Sequence, residues 1–538
     1  MKETLPEQQT AKKNKSDIVL ITVILLFALA LRVWQINARG LWFDEAYEFW
    51  ASVVPVRHIF KVVSHSLQPP LYNILLHFWM KAGHSETWLR LLSVLLDLLG
   101  ILATLLLCLR AFNRNTALIV GLNLALMPAL IRYSQEVGEY ALWLCCLQWL
   151  CYFMYQAYHE GKWKHWLLLS LSSLLAWYSH YGAFVPIAAA YLVLFVMLIL
   201  KKDRSAYKKL FTSASLTAIG ALVVLPTFLA QVKAIGNKAQ WSGAQALTLA
   251  RDIAKGFLNS LNFMYTGYPF TRITQWIPWI VFMVLILLGV WVWVRQGKKG
   301  LYYPLLLGLS FVVYAILIIP GFYGHGSFGF RYGLVLLPAF ILFLGNIFYE
   351  LTQEKNWIKN ILALVLTIAL LSLSAYSLPN RGLSEKTRGK TDWPETNDLR
   401  DVMAQWQETR TEDSFTIISF GEIQSFGYNL TRLGMADVDD FAPNWVNAYL
   451  GNLASEDCKN ERYVYEHWSG GVPLEERFDV LSAAIPQGKQ EVWMVYSRMN
   501  ETDIEQWEDW MTDLGYAQTL ALWDRQLRMH RYEIKSVP

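Results

Sequence analysis

Runs of roughly 18 or more apolar residues recur along the first two thirds of this 538-residue chain. That length crosses a ~30 Å hydrocarbon core as a helix. Inside hydrocarbon every backbone amide must find its partner within the protein, so such runs fold as helices. The chain is therefore predicted to be a polytopic α-helical membrane protein with about eleven segments, near 18–36, 87–109, 115–131, 139–157, 164–180, 183–200, 210–231, 275–294, 301–320, 332–349 and 358–377. The long run from His165 to Leu200 is broken at Ser179-His180-Tyr181-Gly182, where polar residues and a glycine interrupt it. A hydrophobic fraction of 54% and a mean hydropathy of +0.27 agree with this class. No small-residue cleavage site follows the first run, so it reads as a retained helix rather than a signal peptide.

The net charge of +4 hides a split. Residues 1–377 carry 31 basic and 15 acidic side chains, a net of +16, and residues 378–538 carry 16 and 28, a net of −12. The switch marks a boundary between a membrane domain, 1–377, and a soluble domain, 378–538. The acidic tail argues against nucleic acid as a partner. Lys12 to Lys15, Arg110 to Arg114, Lys162 to Lys164, Lys201 to Lys209 and Arg295 to Lys299 fall on one side if the segments alternate, and that side is read as the cytoplasm. The tail and the loops 37–86 and 232–274 then lie outside. The expected location is the cytoplasmic (inner) membrane, multi-pass, with the N-terminus inside.

The outer loops hold the unusual polar residues. Leu41-Trp42-Phe43-Asp44-Glu45-Ala46-Tyr47 follows directly on the first apolar run. Charge is expensive near hydrocarbon, so two adjacent carboxylates there fit a catalytic base, a cation site or a solvated acidic loop. Ala46 to Phe60 and Leu71 to Met80 read as short amphipathic helices around Gln68-Pro69-Pro70. In the tail, strand-like runs Phe415–Phe420 and Glu491–Tyr496 alternate with helical stretches such as Asp503–Leu514, which predicts a small α/β domain. Cys108, Cys145, Cys146 and Cys151 lie in or beside apolar runs and Cys458 is alone in the tail, so neither a disulfide there nor a cysteine metal site is expected.

Arg32, Arg90 and Asp97 are the clearest ionisable residues within apolar segments. The arginines sit near outer ends, where long side chains snorkel. Asp97 is read as a structural hydrogen-bond partner inside the bundle. Three further clusters stand out: Arg132-Tyr133-Ser134-Gln135-Glu136-Val137-Gly138-Glu139-Tyr140, Ser179-His180-Tyr181, and Gly329-Phe330-Arg331-Tyr332. Each alone also fits an ordinary helix-end cap or interfacial anchor. There is no P-loop, HExxH or GxSxG, so soluble nucleotide chemistry is not signalled.

Together these pieces resemble the GT-C glycosyltransferases, in the family 39 group of protein O-mannosyltransferases and lipid A aminoarabinose transferases. The matching residues are Arg32, Trp42 to Tyr47, Gln68 to Tyr72, Ser85-Glu86 with Arg90-Leu91, Tyr133 to Glu136 with Tyr140, Ser179 to Tyr181, and Arg331-Tyr332 with Pro338. Their order and spacing fit over roughly Val19 to Leu344. The chain departs from the family at Gly138, where members commonly carry a basic residue.

The resemblance implies transfer of a single sugar from a polyprenyl (undecaprenyl) phosphate to a lipid, glycan or protein acceptor at the outer face, with inversion. Asp44 would be the general base and Glu45 its orienting neighbour. Arg32, Arg90, Arg132, Glu136, Tyr140, His180, Tyr181, Lys233, Arg331 and Tyr332 are the candidates for binding donor phosphate or substrate. No cofactor is assigned; a divalent cation held by Asp44 and Glu45 is the one candidate. Rival readings are a transporter or lipid flippase, which would show repeat symmetry and midplane charges, and a non-catalytic scaffold. An oligosaccharyltransferase is a nearer rival, but the tail has no Trp-Trp-Asp motif.

Overall fold

The computed structural model describes residues 15–64, 66, 68–235, 257–258, 260–266, 276–297, 301–322, 331–378, 399–418, 423–435, 437–438, 463–465, 474–497, 501–524 and 527–535. Two compact units emerge. The first joins 1–36 with 90–381, and the second joins 37–89 with 382–538. The outer loop 37–86, read in sequence as part of the membrane domain, thus clusters with the tail.

The first unit is helical. Its elements include α1 (Lys15–Val33), most of α5 (Glu86–Ala111), α6 (Arg114–Leu126), α7 (Pro128–Ser134), α8 (Tyr140–Glu160), α9 (Trp163–Ser179) and α10 (Phe184–Lys201). Helices at Tyr207–Ala221, Trp276–Gln296, Tyr302–Phe322, Leu337–Thr352 and Trp357–Ser377 follow. All eleven apolar segments are helical. Among the described residues, seven helices are long and apolar enough to cross a membrane, or eight if the bent pair α6–α7 counts as one span. The chain is a multi-pass membrane protein.

Exposure separates the lipid-facing helices from the central one. The spans at 15–33, 204–229, 276–296 and 357–377 bury only 22–28% of their most apolar window, whereas Gly333–Thr352 buries 94%. Exposed Val19, Val23, Leu26, Ile280, Leu287, Leu364 and Ile368 form apolar outer faces that water would disfavour and lipid accepts. Close packing relies on small residues: a Cβ on Gly121 of α6 would fall 2.7 Å from both Ile24 of α1 and Leu105 of α5.

The second unit opens with α2 (Phe43–Val53), α3 (Val56–Val63) and α4 (Leu71–Met80). The single helix expected from Ala46 to Phe60 is two, because Pro55 lacks an amide proton and holds Val54 extended at φ −70°, ψ 158°. The tail supplies five strands: β1 (Phe415–Ile418), β2 (Tyr463–Tyr465), β3 (Glu491–Ser497), β4 (Tyr516–Asp524) and β5 (Leu527–Ile534). They form one sheet in the order β2-β1-β3-β5-β4. β1 runs parallel to β2 and β3, and β5 and β4 are antiparallel. Every residue of β1 is buried, as expected of a parallel strand covered on both faces. Phe415, Ile417, Val492, Met494, Trp507 and Met511 form the centre of this core.

Candidate active site

In the second unit, Asp44 and Glu45 stand in the first turn of α2, where the helix dipole favours negative charge. Their surroundings differ. Glu45 is 0% exposed. Its Oε2 accepts from the Trp42 amide at 3.4 Å, the back-bond of a capping box, and lies 3.8 Å from Arg39 Nη2. Asp44 is half-buried. The turn thus has one carboxylate folded back onto its own helix start and one that is half-buried beside it.

Two side chains missed in sequence hold this helix. Glu48, one turn beyond Asp44, is buried and accepts from Asn73 Nδ2 of α4 at 2.6 Å. Asn73 Nδ2 also donates to Ser52 Oγ at 3.2 Å, and His77 Nδ1 donates to the Ser52 carbonyl at 2.8 Å. An i, i+4 relation to Asp44 was the available signal for Glu48. Among the described residues no three His, Cys, Asp or Glu side chains gather as metal ligands. With Glu45 turned to its own backbone, the pair fits a divalent cation poorly, and no step is routed through one.

The remaining candidates belong to the first unit. Arg32 is fully buried. Its Nε donates to Asp97 Oδ2 at 2.6 Å, Nη2 to the Leu124 carbonyl at 3.1 Å, and Nη1 to the carbonyls of Ala125 at 2.6 Å and Ala28 at 3.3 Å. The reason lies in the break between α6 and α7, which meet at 57°. Pro128 has no amide proton, so the Leu124 carbonyl four residues earlier loses its helical donor. Arg32 replaces it. Gln135 returns the favour at the end of α7: its Nε2 donates to the carbonyls of Arg32 at 2.8 Å and Trp34 at 2.7 Å. Those carbonyls end α1, where the chain turns out through Gln35 at φ 57°. Arg90 is buried as well and donates from Nη1 to the Ile36 carbonyl at 2.9 Å. Neither arginine snorkels; both are enclosed by protein.

Tyr140 and His180 are brought together. Tyr133 and Tyr140 lie 4.6 Å apart by ring centroid, Tyr140 and His180 5.7 Å, and His180 stacks on Trp143 at 4.4 Å. Buried Arg132 faces the Tyr133 ring at 5.6 Å, and Glu136 and Glu139 are buried nearby in sequence. His180 ends α9 with an extended backbone, and its Nδ1 accepts from the Gly182 amide at 2.9 Å. A Cβ on Gly182 would approach that nitrogen to 2.8 Å, so the turn needs glycine for close approach. Tyr181 packs on Trp177 at 5.1 Å and Phe228 at 4.8 Å, away from the stack's contacts. At Gly138 a Cβ would sit 3.6 Å from Glu136 Oε1, so a basic residue there would meet that carboxylate. Arg331 and Tyr332 open a 3₁₀ turn and Lys233 ends a helix, but their side chains lie outside the described residues, as do Gly329, Phe330 and most of the loop 232–274.

Residues 67–229 match the family profile of dolichyl-phosphate-mannose-protein mannosyltransferases. That stretch includes the 68–72, 85–91, 133–140 and 179–181 motifs but neither Asp44 nor Arg331. No curated protein sequence matches the chain. Among solved structures, the chain is similar to ArnT from Cupriavidus metallidurans bound to undecaprenyl phosphate, with a TM-score of 0.55 and 14% identity over 96% of this chain and 98% of that one. The apo form of the same protein gives 0.53 and 13% over the same shares. The chain shares the fold of this ArnT structure.

Proposed function

We propose that this GT-C chain is a membrane glycosyltransferase that moves one sugar from a polyprenyl-phosphate donor to an acceptor hydroxyl or amine, with inversion. The observation that carries the reading is the first turn of α2, where Glu45 is buried against its own helix start and its neighbour Asp44 is only half-buried. The acceptor's heteroatom attacks the anomeric carbon from the side opposite phosphate. Asp44 takes its proton, the bond from carbon to phosphate oxygen breaks, and the electron pair leaves with the polyprenyl phosphate. Arg132, with Lys233 and Arg331, is assigned to the phosphate, whose growing charge needs fixed cations. Arg32 and Arg90 are assigned to bracing. The likeness to a protein solved with undecaprenyl phosphate supports that donor class. The Lys/Arg loops support an inner-membrane enzyme with its tail and acid pair outside. The acceptor is a lipid, glycan or protein.

The test is Asp44→Asn in reconstituted membranes, with a panel of undecaprenyl-phosphate-linked hexoses and pentoses. Transfer is expected to fall ~10²–10⁴-fold while folding and donor affinity stay near wild type. A folded variant that binds donor and transfers at the wild-type rate would overturn the base assignment.

A further inference from the structure

The acid-bearing helix is held by parts of the chain far away in sequence. Arg400, in the first turn of the tail helix Leu399–Thr409, donates from Nη1 to the Asn37 carbonyl at 3.2 Å, and the same nitrogen lies 3.6 Å from Glu86 Oε2. Asn37 and Glu86 are the two stems of the loop that carries α2. One guanidinium therefore staples the entry and the exit of that loop. Within the loop, the tail helix Ile423–Arg432 lies on α2: Trp50 Nε1 donates to the Gln424 carbonyl at 3.0 Å, and Phe49 meets Tyr428 edge to face at 5.0 Å. The Tyr428 hydroxyl also donates to the His84 carbonyl at 3.3 Å. All these contacts lie inside the second unit. On the other side, α2 is fixed by Glu48 and Asn73.

We infer that the C-terminal domain is a positioning element for Asp44, acting through Arg400 at the loop stems and Tyr428 beneath α2. A general base works only within hydrogen-bond reach of its proton, and misplacement by about 1 Å costs up to ~10²-fold. The α2 helix is short, enters from an extended Trp42, and ends at Pro55. Its aim is therefore set by what packs on it. The inference rests on Asp44 being the base, and it gives the tail a role in turnover. Arg400 and Tyr428 touch no reacting atom in this scheme.

The experiment uses the full-length protein in proteoliposomes, with undecaprenyl-phosphate-linked sugars as donor. Arg400→Ala is expected to lower kcat about 10- to 100-fold with donor KM changed less than about twofold, and Arg400→Lys to recover part of the loss. In an Asp44→Asn background, Arg400→Ala should add no further loss, because both act on one event. Wild-type kcat in folded Arg400→Ala, a loss confined to KM, or full additivity with Asp44→Asn would overturn the proposal. If Arg400→Ala fails to fold by thermal melting, Tyr428→Phe serves instead. It removes the bond to His84, keeps the ring on Phe49, and is expected to lower kcat about threefold; an unchanged kcat there would also overturn it. Near wild-type transfer by Asp44→Asn alone sinks the base assignment. The two failures are thus read from different variants.

Discussion

Arg32 and Asp44 lie close in sequence, and both put charge beside an apolar segment, yet their surroundings are opposite. The Arg32 guanidinium is enclosed, with Asp97 and three carbonyls around it. Asp44 starts a helix in the other unit and keeps part of its surface open. A buried charge is tolerated when its hydrogen-bond capacity is met, and it then acts as a brace. A charge that keeps part of its surface exposed at a helix start has the access that a group exchanging a proton with substrate needs. How far its protein partners enclose a charge separates the two roles better than its distance from the membrane does.

Breaking the enclosed side should have the largest effect on stability. Arg32→Met removes the donor to the Leu124 and Ala125 carbonyls and leaves Asp97 facing protein alone, an expected loss of about 3–5 kcal/mol in detergent unfolding. Adding Asp97→Leu should recover part of it. A loss below about 1 kcal/mol would mean that the α6–α7 break is held by something else.

A buried histidine in the tail lies between the two extremes. His530 of β5 is buried, and burial together with Arg528 pushes its imidazole down to about 4, although Glu508 Oε1 lies 3.3 Å from Nδ1. Burial outweighs that carboxylate, which is itself partly exposed. A depressed histidine binds its proton more readily when unfolded, so the fold is most stable above about 6.5 and loses stability as pH falls from there toward 4. Between pH 7.5 and 5 the expected loss is about 2 kcal/mol. Melting His530→Gln and the parent protein at both pH values checks this: the variant should lack that part of the slope, and an equal slope would place the pH sensitivity elsewhere.

The smallest effect is expected on the acid turn itself. Glu45→Gln keeps an acceptor for the Trp42 amide and removes the charge 3.8 Å from Arg39, so it should cost about 1.5 kcal/mol or less in stability. Its transfer rate should fall far less than that of Asp44→Asn. An equal fall would give Glu45 a share in the chemistry and end the contrast between the two neighbours.

The apolar runs located the long apolar helices among the described residues, because period and length are local properties. The strands at 415 and 491 and the helix near 503 were legible for the same reason. Pro55 and Pro128 were visible as residues, but their consequences were not. One splits an expected helix, and the other frees a carbonyl that an arginine from α1 then fills. Gln135 was read as part of a motif, yet its function here depends on carbonyls a hundred residues earlier. Arg400 carried no signal at all, since a lone arginine on an amphipathic helix reads as solvated surface. What stayed hidden was pairing across the chain, and pairing is what gives these polar residues their roles.

The staple at Arg400 also has a temporal side. Asn37 and Arg400 are separated by 363 positions, and at ~5–20 residues per second synthesis takes roughly 20 to 70 s to cover that distance. During that interval α2, with its acids, has been made, while the helix that packs on Trp50 has not. The loop therefore waits unfinished while the membrane helices are inserted, until residues from 382 onward, which belong to the same unit, have been made. A ribosome that stopped after residue 381 would leave a chain with its long apolar helices made and an acid-bearing loop without the tail helices that pack on it.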